Sequence, residues 1–598
     1  MILHKMPRSR TRVAITLLIV GFLFMSARYS SNKQYEMEIT ENQLLPVSID
    51  RENLQDALLQ GSKYDESDFQ SDSNEIQSGS DSLQNSHIYW SKIFDIIANA
   101  AVNISGADLP EAIRYIPKEN QKQGPNTKEV LLSKAEISDE VFNEFKVKHD
   151  KVLAELPYKI SETVYKKGTK GVVMVGGSRF SWLSYLSLIA LRETGSQLPV
   201  EIVMPKIEDY EREQEFCNVI LPKLKASCIV LNEVLGDEVM AKWQKKIANY
   251  QFKSLSLLVS SFEQILLLDS DNIILSNPDS IFESNLFKKY GMITWPDYWR
   301  RTISPKYYDI AGIQVNEKKR VRFNRFPLNA ASTSSSNLAE SEENNVPFHD
   351  LEGAIPDLST ESGQLIINKS THGKTLLLSL YYNMFGPRLY YKLLSLGEQG
   401  EGDKDTFVAA AVVTNQKFYQ LKSFIQTFGY VDDTGFRGVA MGQKDPLSDY
   451  EMFNEKVVAP MQEEENKFKT IPQQIEILER TMNNEFGERS RSPIFTIHCN
   501  YPKLDPLQLL DRDDLYDKEK KRIRYRLYGS LTYKKWVTTA TGERKLTKVD
   551  FELEQWIHMK SILCEEKVHF VFFKDRDMTE LCEFINNQVT WLTESSEP

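Results

Sequence analysis

Cysteine is scarce in this chain, which has only five among its 598 residues. No two of them are spaced as C-x-x-C, which argues against a zinc ribbon. The odd number leaves at least one thiol unpaired within the chain. Disulfides would require an oxidising compartment, and the sequence does not choose their partners. The five positions are Cys217, Cys228, Cys499, Cys564 and Cys582.

An excess of positive charge is also missing, since the formal net charge is −11. A nucleic-acid partner is therefore not expected. The one basic run, Lys518 to Arg526, is interrupted by Glu519 and Ile523, and we interpret it as a solvated helix face. The motif G-x-G-x-x-G is absent as well, so a dinucleotide cofactor is not supported.

A long apolar segment stands out near the start of the chain. Val13 to Ala27 is uncharged and mostly apolar, and it follows four basic residues, Lys5, Arg8, Arg10 and Arg12. Basic flanks stay cytosolic, so we predict a cytosolic tail over 1–12, a transmembrane signal anchor over 13–27 and a luminal remainder. The segment is short for a membrane helix, which usually needs about 20 residues. A cleaved signal peptide is the alternative, but Ser26-Ala27-Arg28 is a poor cleavage site.

The stretch after the anchor is polar and acidic. Residues 28–87 contain too few apolar side chains to offset the entropy of ordering, which predicts a disordered luminal stem. Apolar residues return at helical spacing from Ile88, so 88–165 is predicted as a helical lead-in. The sequons at Asn103 and Asn368 are candidate glycosylation sites of a luminal domain.

Strands alternate with helices in the next part of the chain. Apolar runs at 171–175, 199–204, 227–231 and 264–268 read as buried strands, and Phe180 to Thr194 reads as a helix. This alternation predicts an α/β fold with a parallel, Rossmann-type sheet. The first strand ends in a tight turn that could bring backbone N–H groups close to a nucleotide, Gly176-Gly177-Ser178-Arg179. We place the catalytic domain at 166–506, with a mobile polar insertion at 329–345 and a C-terminal extension at 507–598.

Two carboxylates follow the strand 264–268 directly, at Asp269 and Asp271. Ligands of open α/β sheets bind where strands end. Paired hard oxygen ligands there suit Mn²⁺ or Mg²⁺ carrying a diphosphate. The reaction that this indicates is sugar transfer from a nucleoside diphosphate sugar. The alternative is a solvated surface loop, because Asp-x-Asp is a common pattern.

Other polar residues also end apolar runs or begin helices. His498 ends the run from Ile494 and could be a further metal ligand or a satisfied core histidine. Asp403 and Asp405 precede a helix over Thr406 to Val413, where they could cap the helix or bind sugar hydroxyls. Lys253, on a helix before the Asp-x-Asp strand, could balance diphosphate charge or form a surface salt bridge.

Several motifs occur together in a recognisable order. They include Lys253 to Asp271, Glu361-Ser362-Gly363-Gln364, Gly402 to Phe407 and His498 to Lys503. Over roughly residues 165 to 505 the chain resembles the fungal Golgi α-1,2-mannosyltransferases that branch the outer chain of N-linked mannan. The resemblance implies a type II Golgi membrane enzyme with a luminal GT-A-like catalytic domain, which uses GDP-mannose and Mn²⁺ (or Mg²⁺). The implied acceptor is the α-1,6-linked mannan backbone of N-glycoproteins, and other Golgi mannosyltransferases are candidate partners.

The resemblance also implies roles for single residues. Asp269, Asp271 and His498 would be the metal ligands. Donor binding would involve Asp269 and a further set, Gly176, Gly177, Arg179, Lys253 and Gln364. The catalytic or acceptor-binding residues would be Glu361, Asp403 and Asp405.

The implied reaction moves mannose with retention, because donor and product bonds are both α. This requires a carboxylate nucleophile, for which Glu361 is the candidate, or same-face attack assisted by the leaving phosphate. Asp403 or Asp405 could instead orient the acceptor hydroxyl, and the sequence does not decide between these routes. Two other functions remain open: an α-1,3-mannosyltransferase or mannosylphosphate transferase, and a non-catalytic luminal glycan-binding subunit.

Overall fold

A computed structural model describes residues 73–102, 112–330, 333, 345–467, 469–538 and 544–596. The predicted tail, the predicted anchor, Asn103 and most of the predicted insertion lie outside these residues. Within the described ranges, no helix combines the length and the apolar character needed to cross a membrane.

Two sheets position the site. Their strands, in chain order, are β1 Lys166–Val175, β2 Val200–Met204, β3 Ala226–Val230, β4 Phe262–Leu268, β5 Asn272–Ile274, β6 Met292–Pro296, β7 Thr360–Asn368, β8 Tyr419–Gln420, β9 Gln426–Asp432, β10 Gly435–Lys444 and β11 Ile494–His498. The larger sheet has the order β8-β6-β7-β4-β1-β2-β3, and the smaller has the order β9-β10-β11-β5.

The larger sheet is mixed rather than wholly parallel. β1 pairs in parallel with β2 and β4, and β2 pairs in parallel with β3. β7 runs antiparallel to both of its neighbours, β4 and β6. The predicted α/β class is therefore confirmed, and the four strands predicted to form a parallel sheet, β1 to β4, do pair in parallel. No direction was predicted for β7, which adds an antiparallel strand to this sheet. An apolar run indicates a buried strand but carries no information on its direction.

Helices lie around the two sheets. Those of the described ranges include α1 Ser73–Asn99, α2 Asp139–Glu155, α3 Arg179–Glu193, α4 Gln251–Val259, α5 Lys369–Met384, α6 Thr406–Val413, α7 Ile471–Glu485, α8 Phe551–Met559 and α9 Met578–Ser595. Further α-helices span Lys128–Leu132, Ile207–Arg212, Leu221–Lys223, Leu231–Leu235, Asp237–Trp243, Asn285–Tyr290, Pro305–Ile310, Tyr391–Ser395, Pro446–Phe453, Ala459–Gln462, Glu464–Lys467 and Pro506–Leu510.

Short antiparallel strand pairs lie outside the two main sheets. They are Ile113–Tyr115 with Ala135–Ile137, Asn316–Arg320 with Leu351–Glu352, Arg322–Phe323 with Phe326–Pro327, Tyr516–Asp517 with Arg522–Ile523, and Thr532–Thr538 with Arg544–Asp550. The basic run around Lys518 therefore lies in a hairpin, and the interpretation as a helix face was wrong. Arg522, from this run, lies over the ring of Trp591 at 4.1 Å and so covers the C-terminal helix α9.

The core occupies both faces of the larger sheet. Val172 and Met174 of β1 belong to one buried cluster, and Val173 between them belongs to the other. This follows from the period of two along a strand. The first cluster contains α3 and the C-terminal segment, including Trp182 and Phe570. The second contains the lead-in, including Trp90.

Helix α1 begins at Ser73, inside the segment predicted as a stem. Ser86 is buried, and the imidazole of His87 contacts the carbonyl oxygen of Glu233 at 2.7 Å. This polar stretch is therefore ordered by packing against the helix Leu231–Leu235. Its composition predicted disorder because a segment with few apolar residues cannot bury enough surface without a partner.

Candidate active site

The Asp-x-Asp pair lies at the tip of β4 in a turn that leads into β5. The Asp269 amide donates to the carbonyl of Gly363 at 2.7 Å, and the Asn272 amide donates to the carbonyl of Asp269 at 3.0 Å. From α3, the Ser187 hydroxyl donates to the Ser270 carbonyl at 2.9 Å. The turn is therefore held from β7 and from α3, which fixes where both carboxylates point.

The antiparallel direction of β7 brings Glu361 to the same edge. Gln364 pairs with Leu268 in the register, so residues before Gln364 extend past the end of β4. β7 begins at Thr360, so Glu361 is the second residue of this strand. The first residues of β7 thus face the turn that carries Asp269.

His498, the last residue of β11, completes a candidate metal centre. Ligand atoms of Asp269, Asp271 and His498 all lie within 4.8 Å of one another. The imidazole Nε2 is 3.4 Å from Asp271 Oδ1, and Nδ1 is 3.1 Å from Glu361 Oε1. A carboxylate on the second ring nitrogen is the usual way to orient a metal-binding histidine. Two carboxylates and one imidazole fit Mn²⁺ or Mg²⁺ by donor chemistry.

The pKa values of these three residues are shifted in different directions. Burial opposes charge on His498, but the carboxylates of Asp271 and Glu361 outweigh it and raise the His498 pKa to about 10. Burial would raise the pKa of Asp271, yet His498 and Lys503 hold it well below its usual range. Burial raises the pKa of Asp269 despite the neighbouring Lys253 ammonium. Metal binding would displace the His498 proton, since the ligand form of imidazole is neutral.

Two lysines neutralise the carboxylates from opposite sides. Lys253 Nζ, on α4, lies 2.8 Å from Asp269 Oδ2 and 3.7 Å from Asp403 Oδ2. It also donates to the Ser362 carbonyl at 3.2 Å. Lys503 Nζ forms an ion pair with Asp271 Oδ2. Lys503 belongs to a motif that the sequence analysis singled out, but nothing in that motif indicated that its ammonium reaches Asp271.

Glu361 and Asp403 each keep a carboxylate oxygen without a hydrogen-bond partner among the described residues. Glu361 Oε1 accepts from the Gly363 amide at 2.5 Å and contacts His498, whereas Oε2 makes no such bond. Burial opposes ionisation of Glu361, but His498 and Lys253 outweigh it and lower its pKa. Burial raises the pKa of Asp403 to about 6. Each of these buried carboxylates therefore has one oxygen that could still accept a hydrogen bond from a bound hydroxyl group.

Asp405 differs from Asp403 because its carboxylate is fully engaged. Oδ1 accepts from Arg301 Nη1 at 2.5 Å and from the Thr360 amide at 2.9 Å, and Oδ2 accepts from the Ser359 hydroxyl at 3.4 Å. Arg301 is itself completely buried. Because both oxygens of Asp405 already accept hydrogen bonds, this carboxylate holds the backbone around it in place. Asp403 is therefore a better candidate than Asp405 for contact with a substrate.

The glycine-rich turn lies at the same sheet edge as Asp269. Val173 of β1 pairs with Leu267 of β4, so both strands end at the same level. Gly177 has φ +91°, a conformation that favours glycine. A Cβ on Gly176 would meet Ile202 Cγ2 at 2.6 Å, so only glycine fits between β1 and β2. Arg179 begins α3, half-buried, beside this turn.

Gln364 and Asn368 are the remaining predicted site residues in the described ranges. Gln364 Oε1 accepts from Asn272 Nδ2 and from the Thr496 hydroxyl, the latter at 3.0 Å, so it joins the two sheets. Its Nε2 is buried without a partner among the described residues. Asn368 caps α5 by accepting from the Ser370 amide at 2.9 Å. Glycosylation of Asn368 stays a prediction.

Comparison with known proteins identifies relatives of this chain. The mannosyltransferase family model Mannosyl_trans3 matches residues 169–445. The chain is 56% identical over 523 residues to α-1,2-mannosyltransferase MNN23 of Candida albicans, with 86% of each chain covered. It is 38% identical over 450 residues to α-1,2-mannosyltransferase MNN2 of Saccharomyces cerevisiae, with 72% of each chain covered.

Among solved structures, the galactosyltransferase LgtC in complex with donor and acceptor sugar analogues aligns with 42% of this chain and 73% of its own. The sequence identity of that alignment is 9%, and its TM-score is 0.24. Assignment of the family therefore depends on the sequence relatives.

An α/β sheet whose edge carries paired carboxylates, in a chain with mannosyltransferase relatives, defines a glycosyltransferase. More narrowly, the chain belongs to the fungal α-1,2-mannosyltransferase family of MNN2, MNN5 and MNN23. The family resemblance predicted from the motifs is thereby confirmed.

Proposed function

We propose that this protein transfers mannose from GDP-mannose, with retention, to the 2-hydroxyl of the α-1,6-mannan backbone of N-linked glycans. The observation that carries the proposal is the cluster of Asp269, Asp271 and His498 beside the Gly176-Gly177 turn, in a chain 56% identical to an α-1,2-mannosyltransferase. The mixed sheet is compatible with a GT-A-like catalytic domain. In such a domain, the carboxylate–histidine cluster and the glycine-rich turn would bind the same nucleotide sugar.

Asp269, Asp271 and His498 would hold Mn²⁺, or Mg²⁺ in its place. When bound, the metal supplies a Lewis acid that neutralises charge on the leaving diphosphate. Lys253 adds a positive charge next to Asp269, 2.8 Å from its carboxylate. The buried setting strengthens such electrostatic interactions because water screens them less.

Glu361 and Asp403 are the residues proposed to act on the sugars. Lowering of the Glu361 pKa keeps this group ionised, and its free Oε2 suits either a nucleophile or a stabiliser of an oxocarbenium-like transition state. Asp403 has a pKa of about 6 and can accept a proton from the acceptor hydroxyl near neutral pH. Asp405 and Arg301 would hold Asp403 and Glu361 in register without touching the substrate.

The proposed location is the Golgi membrane, with residues 13–27 as a type II anchor and the catalytic domain in the lumen. Two cysteine pairs, Cys217–Cys228 and Cys564–Cys582, are at disulfide distance in the structure. Disulfides persist mainly in oxidising compartments, which supports a luminal domain.

The test is a transfer assay with the purified full-length protein, GDP-mannose, Mn²⁺ and an unbranched α-1,6-mannan oligosaccharide. We expect new α-1,2-linked mannose in the product and loss of transfer when the metal is chelated. Linkage analysis separates this function from α-1,3-mannosyl or mannosylphosphate transfer, because each leaves a different bond.

The assay also separates the enzyme from a glycan-binding subunit. If GDP-mannose binds but this oligosaccharide is not modified, the acceptor assignment is wrong. Failure of a folded protein to bind GDP-mannose at all would overturn the donor assignment.

A further inference from the structure

The turn after β1 faces a carboxylate that the donor site described above does not use. Asp209 lies in the helix Ile207–Arg212, which follows β2. A Cβ built on Gly177 would meet Asp209 Oδ2 at 2.9 Å and Pro205 Cδ at 3.3 Å. The carboxylate therefore sits directly above the glycine, at the edge of the sheet where a nucleotide would bind.

The carboxylate of Asp209 has no hydrogen-bond or ion-pair partner among the described residues. Its backbone carbonyl, in contrast, accepts from the Glu213 amide at 3.1 Å and holds the helix end in place. Asp209 is half-buried, and burial raises its pKa. A partly desolvated carboxylate is stabilised by any donor that a ligand brings to it.

The turn beneath Asp209 is braced from inside the protein. The Gly177 amide donates to the Ser181 hydroxyl at 2.8 Å, and that hydroxyl donates to Glu213 Oε2 at 2.5 Å. Glu213 is buried, and burial raises its pKa to about 7. These hydrogen bonds hold the Gly177 backbone from the protein interior, next to the Asp209 carboxylate.

The sheet order places the strand that leads to Asp209 two positions from the strand that carries the candidate metal centre. In the sheet order, β4 carries Asp269, β1 is its neighbour, and β2 leads to Asp209. Two strand spacings separate the ends of β4 and β2, or about 10 Å. A diphosphate held beside Asp269 would thus extend its nucleoside across Gly177 towards Asp209.

Carboxylate chemistry then selects among the bases. Guanine presents two adjacent donors on one edge, N1–H and the 2-amino group, and a carboxylate can accept from both at once. Adenine lacks this pair of donors. Uracil presents a single N–H, flanked by two carbonyl oxygens, so it offers a carboxylate one hydrogen bond instead of two.

We propose that Asp209 is the residue that selects guanine in the nucleotide donor, by accepting hydrogen bonds from N1–H and the 2-amino group. This inference rests on the proposed function, because it assumes a nucleoside diphosphate sugar at the sheet edge. It makes Asp209 a specificity-determining residue that lies away from the carboxylates around the metal centre.

The test compares GDP with IDP, which lacks only the 2-amino group. Both are titrated calorimetrically, with Mn²⁺ present, into purified full-length wild-type protein, D209N and E208Q. UDP is titrated into the wild type as well. Glu208 is the exposed neighbour of Asp209 on the same helix and serves as a matched control.

We expect wild type and E208Q to prefer GDP over IDP by about tenfold or more, as for a hydrogen bond to a charged group. D209N should lose about tenfold in GDP affinity, because asparagine keeps one acceptor oxygen for N1–H but has none for the 2-amino group. IDP donates only N1–H, so its affinity should stay within about threefold of wild type, and the GDP-to-IDP ratio should fall towards one. Retained IDP binding also demonstrates that the variant is folded.

Two results would overturn the proposal. One is a D209N protein that keeps the wild-type ratio of GDP to IDP affinity. The other is a wild type that does not distinguish the two nucleotides. A wild type that prefers UDP to GDP would instead overturn the donor assigned under the proposed function, and the role of Asp209 with it.

Discussion

At the scale of single residues, His498 lies between two carboxylates and so links the candidate metal centre to Glu361. Its Nε2 faces Asp271 and its Nδ1 faces Glu361. Because one imidazole contacts both carboxylates, a change in the charge of Asp271 should alter the pKa of Glu361. Without metal, the ammonium groups of Lys253 and Lys503 help to balance the carboxylates.

The first prediction at this scale concerns the metal centre. Replacement of either carboxylate, D269N or D271N, should lower mannose transfer by roughly 10³-fold, since metal stabilisation of leaving-group charge contributes several kcal/mol. The fold should persist, because asparagine keeps the shape of the side chain. Initial rates and thermal melts of the purified variants measure both quantities.

The matched control for these variants is D309N, which changes an exposed aspartate of the same domain. It should keep wild-type activity. Full activity of D269N or D271N at matched Mn²⁺ concentration would remove both residues from the metal centre.

At the scale of secondary-structure elements, Arg301 joins the start of β7 to the start of α6. Its guanidinium donates to Asp405, to the Leu358 carbonyl at 2.6 Å and to Gln420 Oε1 at 3.1 Å. β7 carries Glu361, and the segment before α6 carries Asp403. The planar fork of arginine therefore sets the spacing of two elements that each deliver one candidate catalytic group.

Substitution R301K keeps the charge but removes the fork. We expect kcat to fall about tenfold and the free energy of unfolding to fall by about 1–3 kcal/mol, because buried acceptors lose their donors. GDP affinity should stay within about twofold of wild type, since the glycine-rich turn belongs to β1 and α3. Steady-state kinetics and GDP titration separate the two effects.

A second conservative substitution distinguishes loss of positioning from general damage to the fold. D405N, which can still accept from Arg301, should keep more activity than R301K. Equal losses of kcat and GDP affinity in R301K would show that the whole domain, rather than the β7–α6 spacing, had been disturbed.

At the scale of the whole molecule, the C-terminal extension shares a hydrophobic core with α3. Trp182 of α3 packs edge-to-face on Phe570 and Phe573, at centroid distances of 5.7 and 5.5 Å. His558 Nε2 lies 3.0 Å from Glu193 Oε1 at the end of α3, and Lys535 Nζ lies 3.0 Å from Glu193 Oε2. The segment thus supports the helix that follows the glycine-rich turn.

The disulfides provide a test at this scale. Peptide mapping without reduction should show Cys217–Cys228 and Cys564–Cys582, while Cys499, completely buried, should resist alkylation until the protein unfolds. The variant C564S should lower the free energy of unfolding by roughly 3 kcal/mol, because the cross-link restricts the unfolded chain. A urea titration of the wild type and the variant measures the difference.

The double variant C564S/C582S is the control, since it removes the cross-link without leaving a free thiol at Cys582. It should match C564S in stability. Any cross-link that contains Cys499 would contradict the pairing.

Local chemistry determined much of what the sequence predicted correctly. The helix Thr406–Val413 has the predicted bounds, and the strand before Asp269 ends where the apolar run ends. Apolar periodicity and glycine-rich turns act over a few residues, so they can be seen without knowledge of the fold. The same is true of the tight turn at Gly176 and Gly177, which follows a buried strand as predicted, while its binding of a nucleotide stays a prediction.

Only the tertiary structure decided which distant residues meet. The ion pair of Lys503 with Asp271 spans 232 positions, and that of Arg301 with Asp405 spans 104. The direction of β7, the pairing of the cysteines and the approach of Asp209 to Gly177 depend in the same way on how the chain crosses the sheet. Sequence patterns indicate which side chains are buried. The packing of whole helices and strands determines which distant side chains touch, and the candidate site is built from such contacts.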